Sequence, residues 1–191
     1  MSPSGLQVWL AGLRRPDQLA VDWITGNVYY TEQGPAGLTV CSPATTVTSP
    51  VCVPLPTPPV TSISLLRLDP DAGLMFLAGF SRPQAGRPTG AIYPFTMSGR
   101  AVAGATVLGF PKTGIPSGLA LDPATRRVYW TDSTTGDISM CSYTGSDCQQ
   151  VTVTPLQHPN FLAFYEAKLY WLAGSRAVLQ SYDLLELHTQ R

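Results

Sequence analysis

The feature that most limits what this chain can fold into is a repeat with a period of about 50 residues. Segments 16–32, 64–78, 116–132 and 159–173 share one grammar. A short apolar stretch ends in Asp22, Asp69 or Asp122, and only the fourth copy lacks the acid. A tight turn follows, such as Pro70-Asp71-Ala72-Gly73, and then an apolar-aromatic stretch. Two more apolar stretches complete each of the first three units: 38–41 and 51–55, 91–95 and 105–108, 138–143 and 148–153. Four short strands per unit at this period are the pattern of propeller blades.

The expected fold class is therefore all-β, a β-propeller of four-stranded antiparallel blades. Blade repeats are placed at 16–58, 62–110, 115–155 and 158–191 within a single domain. The 18 Pro and 17 Gly interrupt the chain too often for long helices. First strands such as 19–21 and 118–121 are small and apolar without alternation, which suits burial on both faces. Residues 7–11 are read as the last strand of a preceding blade, and 178–184 as the third strand of an unfinished one.

Charge narrows the function. The 12 basic and 12 acidic residues cancel, which argues against nucleic acid or a membrane surface as partner, since both need a basic excess. No apolar run reaches the roughly 20 residues of a membrane span. The first ten residues carry neither a basic start nor a long apolar stretch, so no signal peptide is read there.

The four cysteines form two close pairs, Cys41 with Cys52 and Cys141 with Cys148. Each pair falls between the third and fourth strands of its unit, where facing positions bring Cα atoms about 5.5 Å apart. Two hairpin disulfides are expected, which places the chain in an oxidising compartment. Free buried thiols and a zinc site are the rivals; neither pair has Cys-x-x-Cys spacing or a nearby His.

Tyr129-Trp130-Thr131-Asp132 resembles the YWTD repeat of the low-density-lipoprotein-receptor family. The first copy has Tyr30 for Trp and Glu32 for Asp; Met75-Phe76-Leu77-Ala78 and Tyr170-Trp171-Leu172-Ala173 are degenerate. The resemblance covers nearly the whole chain. It implies a ring of six blades, an extracellular or lumenal location, and a role in binding or releasing protein ligands. It also implies that Asp22, Asp122 and the Tyr129, Trp130, Thr131 and Asp132 set are structural, as Asp69 is by position. Six blades at this period need about 250 residues or more, so four blades of an incomplete ring are expected. A fragment with no binding function of its own is the leading alternative.

No constellation for catalysis is found, no cofactor is expected, and metal is entered as none. His158 lies in a His-Pro loop and His188 in a polar tail. Asp69-Pro70-Asp71 reads as a turn rather than a cation site. A lactonase-type propeller hydrolase would need polar ligands pointing inward from first strands, and those strands were read as Leu, Ala and Val. The expected partner is a protein ligand or a neighbouring receptor module with an acidic surface. Loops before first strands and after second strands share one face and hold Arg14, Arg15, Arg82, Arg87, Lys112 and Arg176 as the candidate ligand set. Self-association through open blade edges is the last expectation.

Overall fold

A computed structural model describes residues 8–34, 37–43, 50–81, 89–108, 114–152, 156–174 and 178–185. It is all β, with four antiparallel sheets in chain order. The first sheet comprises β1 (Pro16–Val21), β2 (Val28–Glu32), β3 (Gly37–Ser42) and β4 (Val51–Leu55). The second comprises β5 (Ser62–Asp69), β6 (Leu74–Ser81) and β7 (Thr89–Thr96). The third comprises β8 (Pro116–Asp122), β9 (Arg127–Asp132), β10 (Asp137–Ser142) and β11 (Gln149–Gln150). The fourth comprises β12 (Pro159–Tyr165), β13 (Lys168–Ala173) and β14 (Val178–Asp183). Each sheet is a simple meander in which sequential strands are neighbours.

Burial is organised between sheets, in three separate cores. Tyr29 and Leu38 of the first sheet pack with Ile63, Leu66, Met75 and Leu77 of the second. Phe76, Ala78 and Ile92 of the second pack with Leu119, Val128 and Trp130 of the third. Tyr129, Ile138 and Met140 of the third pack with Leu162, Leu169 and Trp171 of the fourth. Alternation along one strand explains this. Tyr129 faces the fourth sheet and Trp130 the second, because successive side chains leave opposite faces of a strand. A first strand buried on both faces is therefore apolar throughout, as Leu119 and Ala120 are.

Three expectations are corrected. Not every blade has four strands: the second sheet replaces its outer strand by the bridges Ile92–Leu108 and Phe95–Ala101, and β11 is two residues long. Residues 8–11 form no strand; Gln7 lies outside the described residues. The second motif copy is displaced by one residue. Tyr129 pairs with Ala120, two residues before Asp122, and the residue pairing two before Asp69 is Phe76. The structural equivalent of Tyr129-Trp130-Thr131-Asp132 is thus Phe76-Leu77-Ala78-Gly79. Phe76 faces onward and Leu77 backward, as Tyr129 and Trp130 do.

The terminal sheets also change where association would occur. Leu19 and Val21 on the first sheet are exposed, as are Phe161, Tyr165 and Leu179 on the fourth. The apolar surface left open is mostly sheet face, because blades meet face to face rather than edge to edge.

Candidate loop face and its supports

Each first strand opens with a register break, between Pro16 and Leu19, Ile63 and Leu65, Pro116 and Gly118, and Asn160 and Leu162. Such bulges turn a side chain out of the ladder. At this position stand Asp17, Ser64, Ser117 and Asn160, one polar residue per sheet. Reading first strands as Leu, Ala and Val missed them, because a bulge does not disturb the apolar run that follows. The Ser117 hydroxyl donates to the Pro159 carbonyl at 2.6 Å and lies 3.0 Å from Thr131 Oγ1. Ser64 donates to the Pro116 carbonyl at 3.3 Å. These hydroxyls tie each first strand to the next. Gly118 is required beside them, since a Cβ there would stand 2.7 Å from both Thr131 Oγ1 and the Leu162 nitrogen. Ser117→Ala removes the shorter strut and is expected to cost about 1 kcal/mol in urea unfolding.

The acid that closes the motif holds two loops at once. Asp132 is buried, and its carboxylate accepts the N–H groups of Gly114 at 2.6 Å, Ile115 at 3.4 Å, Thr134 at 2.8 Å and Thr135 at 3.2 Å. Gly114 and Ile115 precede β8, while Thr134 and Thr135 follow β9, so one side chain joins loops from both ends of the hairpin. Glu32 plays the same part more weakly, accepting the Arg14 N–H at 2.5 Å. A backbone bond recurs beside it in three sheets: Gln33 to Arg15, Ser133 to Ile115, and Gly174 to His158, at 3.1, 3.1 and 3.0 Å. These loops share one face, with a hollow of about 430 Å³ lined by Ser133, Thr134, Thr135, Gly136, Leu156, Gln157 and His158.

The turn acids act at the opposite end of the sheets. Asp22 accepts from the Ile24 and Thr25 backbone and from Thr25 Oγ1. Burial pushes its carboxyl up, and those hydrogen bonds more than reverse this, holding it below the usual range. Asp122 repeats the arrangement with Ala124 and Thr125. Asp69 adds a cross-sheet bond, accepting the Tyr143 hydroxyl at 2.9 Å. Burial and that carboxylate raise the Tyr143 phenol far above its ordinary value.

Both disulfides are formed, Cys41–Cys52 and Cys141–Cys148, with Cα atoms 4.0 and 4.1 Å apart. Cys41 and Cys52 face each other in the β3–β4 register. Of the candidate ligand set, Arg14 and Arg15 are exposed on the loop face. Arg15 reaches Gln33 at 3.5 Å. Arg82, Arg87, Lys112 and Arg176 lie outside the described residues, so the structure does not bring the six together. Among the described residues no group of three His, Cys, Asp or Glu side chains converges as metal ligands. Nor is any helix there long and apolar enough to cross a membrane.

No protein-family model matches the chain. Over 162 residues it is 31% identical to the vitellogenin receptor Yl of Drosophila melanogaster, a match taking in 84% of the chain and 8% of the receptor. The chain thus spans a small part of that relative's length. Among solved structures it resembles a chain of a nidogen/laminin complex, at TM-score 0.74 and 18% identity, over 90% of this chain and 60% of that one. It also resembles a gluconolactonase of Xanthomonas campestris, at TM-score 0.63 and 14% identity, over 88% and 58%. At such identities the structural likenesses concern fold alone. With the receptor match and the motif copies at blade spacing, they settle the family: the chain is a homologue of a low-density-lipoprotein-receptor-family protein and carries part of a β-propeller of the YWTD type.

Proposed function

We propose that the chain is an extracellular protein-docking module, which binds its partner through the loops pinned by Asp132 and Glu32. The observation that carries this reading is the double hold of Asp132 on the loops before β8 and after β9. Loops fixed in advance lose little freedom on binding, so more of the contact energy is left for affinity. The exposed Arg14 and Arg15 favour an acidic partner surface. The two disulfides suit an oxidising, extracellular setting. The vitellogenin receptor is by name a binder, and the nidogen chain was solved in complex with laminin. The gluconolactonase likeness keeps hydrolysis as the rival reading.

Charge reversal tests this reading. The full chain is immobilised and proteins captured from extracellular fluid are quantified. Changing Arg14, Arg82, Lys112 and Arg176 together to Glu is expected to lower capture of the specific partner at least about tenfold. Changing Arg100, Arg126 and Arg127, assigned to the opposite face, is expected to leave it unchanged. The reverse pattern sinks the docking face, and turnover of a lactone by the purified chain sinks the non-enzymatic reading.

A further inference from the structure

A second site lies at the opposite end of the sheets. Between the third and fourth sheets opens a groove of about 650 Å³, the size of a pocket for a small ligand or a few residues of peptide. Its origin is a difference between two turns. The third sheet links β8 to β9 by Pro123–Arg126, a four-residue turn. The fourth links β12 to β13 by Glu166 and Ala167 alone, both at positive φ, 46° and 58°. This is the backbone of a tight two-residue hairpin. The fourth sheet therefore stops short and leaves the lower part of the third uncovered. On the outer side β11 is too short to fill the gap.

The walls have a definite chemistry. Tyr129 and Phe164 stack with centroids 5.9 Å apart and planes 6° from parallel, and Met140 and Leu184 extend this apolar floor. Leu184 is fixed by its N–H, which donates to the Ala167 carbonyl at 2.9 Å. Above the floor stands Arg127, half-buried, with Nη1 3.4 Å from Met140 Sδ. Among the described residues its guanidinium makes no ion pair. Asp122, across the β8–β9 register, directs its carboxylate into its own turn. Asp147 is exposed at the rim. A half-buried cation on an apolar floor, without a carboxylate partner, favours a ligand carrying one. At the groove's edge β11 pairs with β10 alone, so its outer side is free to receive an added strand.

We propose that this groove binds an extended peptide segment in which one carboxylate side chain is flanked by apolar residues. The carboxylate pairs with Arg127, the apolar side chains cover Tyr129, Met140 and Phe164, and the peptide backbone lies along Gln149 and Gln150. The site is separate from the loop face, so either can fail without the other.

The test uses three blocked, fluorescein-labelled hexapeptides, apolar except for a central Asp, Asn or Lys, titrated against the full chain by fluorescence polarisation. The Asp peptide is expected to bind with Kd on the order of 10–100 μM and the Asn peptide about tenfold more weakly. In Arg127→Gln the difference between Asp and Asn peptides is expected to vanish. That ratio reports the ion pair and not general loss of fold, which would weaken both equally. Leu185→Asp, at a residue 62% exposed on the groove wall, is expected to weaken both peptides and keep the ratio. No saturable binding up to about 1 mM overturns the proposal. So does a preference for the Lys peptide, or an unchanged ratio in Arg127→Gln. Amide shifts on binding that map to 133–136 and 156–158 would place the peptide on the loop face and overturn it equally.

Discussion

Trp130→Ala is expected to lower stability by about 3–5 kcal/mol, the range for deleting a large aromatic side chain from a packed core. Trp130 is 1% exposed and sits in the middle core with Phe76, Ile92 and Leu119. Because each core lies between two sheets, the loss falls on the contact of the second sheet with the third. Guanidinium unfolding should show either a lower midpoint for the whole chain or the first two sheets parting from the last two in a separate step. Tyr30 holds the equivalent place in the first sheet. Tyr30→Ala is expected to cost less, since that side chain is not part of any of the three cores.

Asp132→Ala is expected to cost about 3 kcal/mol, because it strips the acceptor from four backbone N–H groups in a largely buried place. Glu32→Ala removes one bond at a more open position and is expected to cost under about 1 kcal/mol. Urea midpoints of the two variants measure the contrast directly. Equal losses would mean that the acid at the motif's end matters for its charge alone. The second sheet has Gly79 at this place, so it has no such hold to lose.

These two residues also show what the sequence could and could not carry. Trp130 and Asp132 stand out in it because the repeat compares four positions at once. The same comparison exposed the hairpin cysteines, whose pairing follows from cross-strand geometry. It slipped by one residue in the second copy, because Met75, Phe76 and Leu77 are all apolar and offer no polar mark to fix the register. Asp69 does fix it, but only once its pairing with Leu74 is known. Ser64 and Ser117 escaped notice for a related reason: a hydroxyl before an apolar run looks like the edge of a loop, and its acceptor lies on another sheet. The groove beside Arg127 was out of reach of sequence reasoning, since it comes from one turn being two residues shorter than its neighbour. Outer strands were the least legible. In 105–108 and 148–153 the apolar pattern is present, yet the chain makes only isolated bridges or a two-residue ladder there.

The central claim is that the motif acids hold a set of loops in place to receive a protein. Amide hydrogen exchange of the full chain, with and without a captured partner, tests it most directly. The account predicts slowed exchange at 14–15, 32–34, 114–115, 133–136 and 156–158, and none at the opposite turns. Protection confined to 22–27, 70–73 and 123–126 would contradict it.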